Sequence, residues 1–134
     1  MLTPQFSDFV DAHRWAVLTS MSKDGSPKSS VVAYAREGDQ FVVSTPGATF
    51  KRRSIEANPK VNLCVLTNAE PFNFVAIQGH AVVETQHLQE ATKAVFAKLE
   101  GTGWELPPDL DAWLASQDRV IIRISPDQVH GVIR

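Results

Sequence analysis

The sequence predicts a mainly β domain in which six short antiparallel strands close into a small barrel, with short helices at its margins. Three observations lead to this class. Apolar and polar residues alternate in runs of strand length, and tight-turn residues such as Lys23-Asp24-Gly25 and Glu37-Gly38-Asp39 separate the runs. Helical periodicity is confined to short stretches between them. A chain of 134 residues with 43% hydrophobic content is sized for a single domain, residues 1–134, with one core. Closure into a barrel removes the free strand edges that would otherwise template aggregation. A half-open sheet completed in a dimer would satisfy the same pattern.

Each element has its own signal. Phe6, Phe9 and Val10 recur at i, i+3 and i+4 after Pro4, which predicts a short amphipathic helix over one end of the barrel. "RWAVLTSMSKDGSPKSSVVAYAREGDQFVVST" then holds three β runs, joined as a meander by the two turns already named. After the loop "PGAT" a helix runs from about Phe50 to Ala57, with Thr49 as its hydroxyl cap; it must stop near Asn58, because the residue before Pro59 is pushed out of the helical region. "KVNLCVLT" and "NFVAIQGHAVVE" are the next two strands, joined by "NAEPF", and Gly79 inside the second marks a bulge or a close backbone approach. Leu88, Ala91, Val95 and Leu99 form one helical stripe, ending at Gly101. An irregular loop and a short helix carry Trp104 and Trp113, and "DRVIIRISPDQVHGVIR" supplies the sixth strand.

Several function classes are excluded. The lone Cys64 cannot form an internal disulfide, and in an alternating strand it reads as a buried, inert thiol. His13, His80, His87 and His130 fall in four different elements, so no metal site is expected. A net charge of −2 argues against general nucleic-acid binding. Neither a leader nor a membrane-spanning run is indicated, and a cytoplasmic location is expected. Ser29 and Ser30 lack a G-x-S-x-G surround and are not read as hydrolase nucleophiles. No residues stand out as a catalytic acid–base pair.

One stretch resists a purely structural reading. "TFKRRSIEANPKV" puts Lys51, Arg52 and Arg53 at the front of a helix, where the dipole makes cations least welcome. A solvated helix face is the plain alternative. An anion resolves the conflict, because a helix N-terminus with free N–H groups is a ready phosphate site and charged side chains strengthen it.

The pieces "AVLTSMSKDGSPKSSVVAY", "FVVSTPGATFKRRSIEANPKVNLCVL", "FVAIQGHAVV" and "DRVIIRISPDQVHG", in that order and spacing, carry a family likeness. The chain resembles the pyridoxamine-phosphate-oxidase-like split-barrel flavoproteins, and more narrowly their deazaflavin-dependent branch. The resemblance implies a six-stranded split β-barrel, the FMN-binding split barrel, in a homodimer with a cofactor groove between subunits. By the same resemblance Thr49, Lys51 and Arg53 hold the cofactor phosphate, Ser29, Ser30, Val31 and Val32 run beside the ring, and Ser44 and Thr45 flank the groove, while Arg52 is left in solvent. It implies an oxidoreductase that uses reduced coenzyme F420 for hydride transfer to an unsaturated small molecule; the cofactor carries that chemistry and the protein binds and orients it. FMN is the alternative cofactor, and spare cations at Arg52, Lys60 and Lys28 favour the longer acidic tail of the deazaflavin. A non-catalytic flavin or haem carrier is the other alternative, with His80 or His130 as axial ligand. His80 and Trp104 are further candidates to line the substrate opening. Oxidation of pyridoxamine phosphate itself is not expected, because no longer basic segment follows "QVHG".

Overall fold

The computed structural model describes residues 2–134. Its elements, in chain order, are α1 (Pro4–Ala12), β1 (Trp15–Met21), β2 (Pro27–Ala33), β3 (Ala35–Glu37), β4 (Gln40–Pro46), α2 (Phe50–Ala57), β5 (Lys60–Leu66), β6 (Phe74–Glu84), α3 (Gln89–Lys98), α4 (Leu110–Ser116) and β7 (Arg119–Val132). All strand pairings are antiparallel, in one sheet of order β2-β1-β5-β6-β7-β4-β3. β2 and β3 stand at opposite ends of that order, yet a single residue, Tyr34, joins them. The sheet must therefore curl back on itself, and the result is a half-barrel.

Seven strands replace the six expected, because the run from Pro27 to Glu37 breaks at Tyr34. Tyr34 is fully buried, and its hydroxyl donates to the Val10 carbonyl at 2.6 Å. It pins the corner to α1. Alternation of apolar residues continues through such a corner, so the pattern alone reads as one strand.

Two apolar layers form. Inside the curl, Leu18, Phe41, Val43, Leu63, Ile77, Ile122 and Ile124 pack together, and α1 closes one end with Phe9 and Val10. On the opposite face of β4 and β7, Val42 and Ile121 meet Leu88, Ala91, Val95 and Leu99 of the α3 region, together with Leu114 of α4. Burial on both faces explains why "FVV" and "VII" are continuous apolar runs. The expected stripe from Leu88 to Leu99 is the packed face. Among the described residues, no helix is long and apolar enough to cross a membrane.

Gly79 sits where the β6–β7 register shifts, and a Cβ there would lie 2.4 Å from the Ser125 carbonyl oxygen. The bulge and the close approach anticipated from the sequence coincide. Gly79→Ala should force the two backbones apart and cost about 1–3 kcal/mol. Urea unfolding checks this: the midpoint should fall with the slope unchanged, whereas a wild-type midpoint would mean that the bulge relaxes freely.

Candidate functional site

Helix α2 and the β1–β2 hairpin form the walls of an open cavity of about 770 Å³. From the helix come Phe50, Arg53, Ser54 and Ala57, spaced i, i+3, i+4 and i+7 along one face. Ser22, Lys23, Asp24, Ser26 and Lys28 come from the hairpin and the start of β2. The Lys28 ammonium stands 4.3 Å from the Phe50 ring centroid and so bridges the two walls. Three cations therefore face one carboxylate. Hydrogen bonds from the Ser22 hydroxyl, and then from the Ser26 backbone amide, hold the Asp24 carboxyl at about 2, well below its usual range. It is anionic throughout the neutral range, with its Oδ1 engaged in the turn. Ser54 is 3% exposed, and its hydroxyl oxygen has no partner among the described residues.

The start of α2, like that of α3, has no side-chain cap. Thr3 caps α1 and Asp109 caps α4 through side-chain acceptors, but Thr49, expected to cap α2, makes no such bond. Its hydroxyl instead meets that of buried Thr45 at 3.2 Å. No acidic residue lies in the first turn. Arg53 donates to the Ala48 carbonyl at 3.4 Å. Arg52, expected in solvent, is tied down: its guanidinium reaches Asp118 at 3.4 Å, Glu56 at 3.6 Å and the Gly47 carbonyl at 3.5 Å. A carboxylate one turn away, together with the carbonyl of buried Gly47, outcompetes water for it.

The nine residues anticipated for a cofactor thus divide. Thr45 and Thr49 come together, and Arg53 joins Lys28 at the cavity, whereas Lys51 is half-buried on another side of α2, as a two-residue offset on a helix requires. Ser29 bonds Thr19 at 2.8 Å on the outer sheet face, beside Val31. Ser30 and Val32 face inward, Val32 into the core, so only its backbone is available to a ligand. β2 pairs with β1 alone, which leaves one side of its backbone without a ladder partner. Ser44 projects away from Thr45, and its hydroxyl accepts from Arg119 at 2.8 Å. Of the histidines considered, His80 pairs with Asp127 at 3.1 Å, and His130 lies edge-on to Phe74. Ser54 was missed, and Lys28 was read only as a spare cation for an acidic tail, not as a wall of the cavity. The i, i+3, i+4, i+7 stripe of α2 was the signal that could have found Ser54, since it leaves a serine where an apolar residue would be normal.

A family model described as Pyridoxamine 5'-phosphate oxidase matches residues 2–133. The chain belongs to this family. No curated protein sequence matches it. Three solved structures share the split-barrel fold of this pyridoxamine-phosphate-oxidase-like domain. An F420 reductase is 20% identical with a TM-score of 0.77, covering 96% of this chain and 98% of its own. A FAD-binding protein from Mesorhizobium loti is 21% identical with a TM-score of 0.73, covering 98% and 94%. The haem storage protein HutZ from Vibrio cholerae is 18% identical with a TM-score of 0.73, covering 96% and 93%. Proteins with this fold thus include a reductase, a FAD-binding protein and a haem storage protein.

Proposed function

We propose that this member of the pyridoxamine-phosphate-oxidase-like family is a homodimeric oxidoreductase that binds coenzyme F420. Its phosphate would lie where the β1–β2 hairpin meets α2. The observation that carries the reading is the cationic cavity: Lys23, Lys28 and Arg53 outnumber one carboxylate, whose Oδ1 is already held in the turn, and a buried Ser54 hydroxyl lacks a partner among the described residues. These groups fit a phosphate, which accepts several charge-assisted hydrogen bonds at once. Lys28 and Arg53 would hold it, the Thr45–Thr49 hydroxyl pair and the uncapped amides of α2 would complete the cradle, and Lys51 would add charge at the same helix end. Ser29, Ser30, Val31 and Val32 would flank the ring through β2's unpaired backbone, and Ser44 would stand beside the groove. When bound, the reduced cofactor supplies a hydride for an unsaturated small molecule; the chain positions both partners and keeps water out. FMN would use the same phosphate contacts. Spare cations favour the more acidic tail.

The second subunit is argued from the outer sheet face. Val31, Val17, Cys64, Ala76 and His130 stand in one cross-strand row. Trp15, Leu66, Phe72 and Val132 beside or near it are each at least 40% exposed, and Val31 is 70% exposed. Exposed apolar side chains on one face support an interface, and self-pairing about a two-fold axis is the commonest way to cover it. Val31→Lys would place two lysines in that interface and should weaken dimerisation roughly tenfold or more. Light scattering at micromolar protein should show a dimer for the wild type and a shift towards monomer mass for the variant. A wild-type monomer that still binds cofactor would remove the dimer.

A second reading follows from His130, an exposed imidazole on this apolar face. Haem seated there would take it as axial ligand. A haem Soret band abolished by His130→Ala, with no F420 or FMN binding, would favour a carrier.

A further inference from the structure

A separate cavity of about 420 Å³ lies between the start of β1, the ends of β2 and β4, helix α3 and the loop before α4. All three tryptophans of the chain, Trp15, Trp104 and Trp113, line it, with Phe96 and Leu99 behind them. One cation, Arg119, and one carboxylate, Glu105, also line this aromatic box, and the two do not pair with each other. The Arg119 guanidinium stacks 4.4 Å from the Trp113 ring, donates to the Ser44 hydroxyl at 2.8 Å and reaches Gln117 at 3.1 Å. A guanidinium has five N–H donors, and the buried Nε of Arg119 has no partner among the described residues. Arg36, Arg52 and Arg123 each pair with at least one carboxylate, but no carboxylate among the described residues lies within 4.0 Å of Arg119. Burial pushes its pKa down.

A half-buried cation without an anion is costly to hold. Neutral partners and an aromatic face only partly offset that cost. The cavity is within the size range of small-molecule sites, about 300–1,000 Å³, and it shares their plan of apolar walls with few polar groups. We propose that it binds a small planar organic carboxylate, with its conjugated body among the tryptophans and its carboxylate on Arg119. Arginine suits the task because its flat fork meets a carboxylate with two parallel hydrogen bonds. Ser44 links this cavity to the edge of the proposed cofactor groove. Naming the carboxylate as the unsaturated substrate rests on the function proposed above; its binding does not.

Calorimetric titration of the cofactor-free protein tests the site, with trans-cinnamate as the probe and neutral cinnamamide as its isostere. Cinnamate should bind saturably and at least about tenfold more tightly than the amide. Arg119→Gln should erase that preference, and Trp104→Ala, at a position 64% exposed and so safe for folding, should weaken both ligands. If Arg119→Gln fails to fold, the amide comparison and Trp104→Ala decide. Absent saturation, equal affinities for acid and amide, or indifference to Trp104→Ala would overturn the assignment. Displacement of cinnamate by FMN or F420 would also overturn it, by making the cavity part of the cofactor site. Cinnamate binding retained without any cofactor affinity would leave this site standing and defeat only the redox reading.

Discussion

Replacing Lys28 and Arg53 together by alanine is expected to lower affinity for F420 by about 10²- to 10⁴-fold, while the melting temperature of the cofactor-free protein hardly moves. Each cation would give the phosphate a charge-assisted hydrogen bond worth about 1.5–3 kcal/mol, so losing both removes about 3–6 kcal/mol of binding. Both side chains line an open cavity, and Lys28 touches the fold mainly through the Phe50 ring. Surface changes of this kind usually stay within about 0.5 kcal/mol of wild-type stability. Lys51→Ala, which alters a residue outside the cavity, should cost less than about tenfold. Dissociation constants and apo melting temperatures of the three proteins in one buffer check the set. Unchanged affinity in the double variant would move the phosphate elsewhere. Arg52→Ala is unsuitable as a silent control, because it would release Asp118, Glu56 and the Gly47 carbonyl together.

Tyr34→Ala should cost about 3–5 kcal/mol and lower the melting temperature by more than about 10 °C. Tyr34 fills the corner between β2 and β3, with Phe41 6.2 Å away across the core. Lys98 stands 5.2 Å over its ring and donates to the Val10 and Asp11 carbonyls at 3.3 and 2.8 Å. Truncation would empty the corner and loosen α1, the corner and the end of α3 together. Tyr34→Phe keeps the volume and loses only the bond to the Val10 carbonyl, which Lys98 still contacts; about 1 kcal/mol is expected. Thermal unfolding of both variants separates packing from hydrogen bonding. Equal losses in the two would mean that the hydroxyl, not the ring, fixes the corner.

The strands and helices were legible where one physical cause acts alone. Alternation located the long strands, the Leu88–Leu99 stripe located the packed face of α3, and Asn58-Pro59 stopped α2 where expected. The corner at Tyr34 was not legible, because a fully buried tyrosine fits an alternating run equally well and its partner, the Val10 carbonyl, is 24 residues away. For the same reason Arg52 looked free: one partner, Asp118, is 66 positions distant. The basic start of α2 pointed to the helix on which the proposed phosphate site is built. The identity of the residues that face the cavity depended on helix phase and on the position of the β1–β2 hairpin. Phase alone separates Lys51 from Arg53, but only the folded chain brings Lys28 over Phe50. Arg119 and the three tryptophans come from four separate stretches, and no spacing in the sequence announces their meeting.

Parallel calorimetric titrations of F420 and FMN into the wild-type protein test the proposed chemistry most directly. The expected result is saturable F420 binding, with an affinity greater than that for FMN, because the surplus cations around α2 meet a more acidic tail. Saturable FMN binding with no measurable F420 affinity would contradict it.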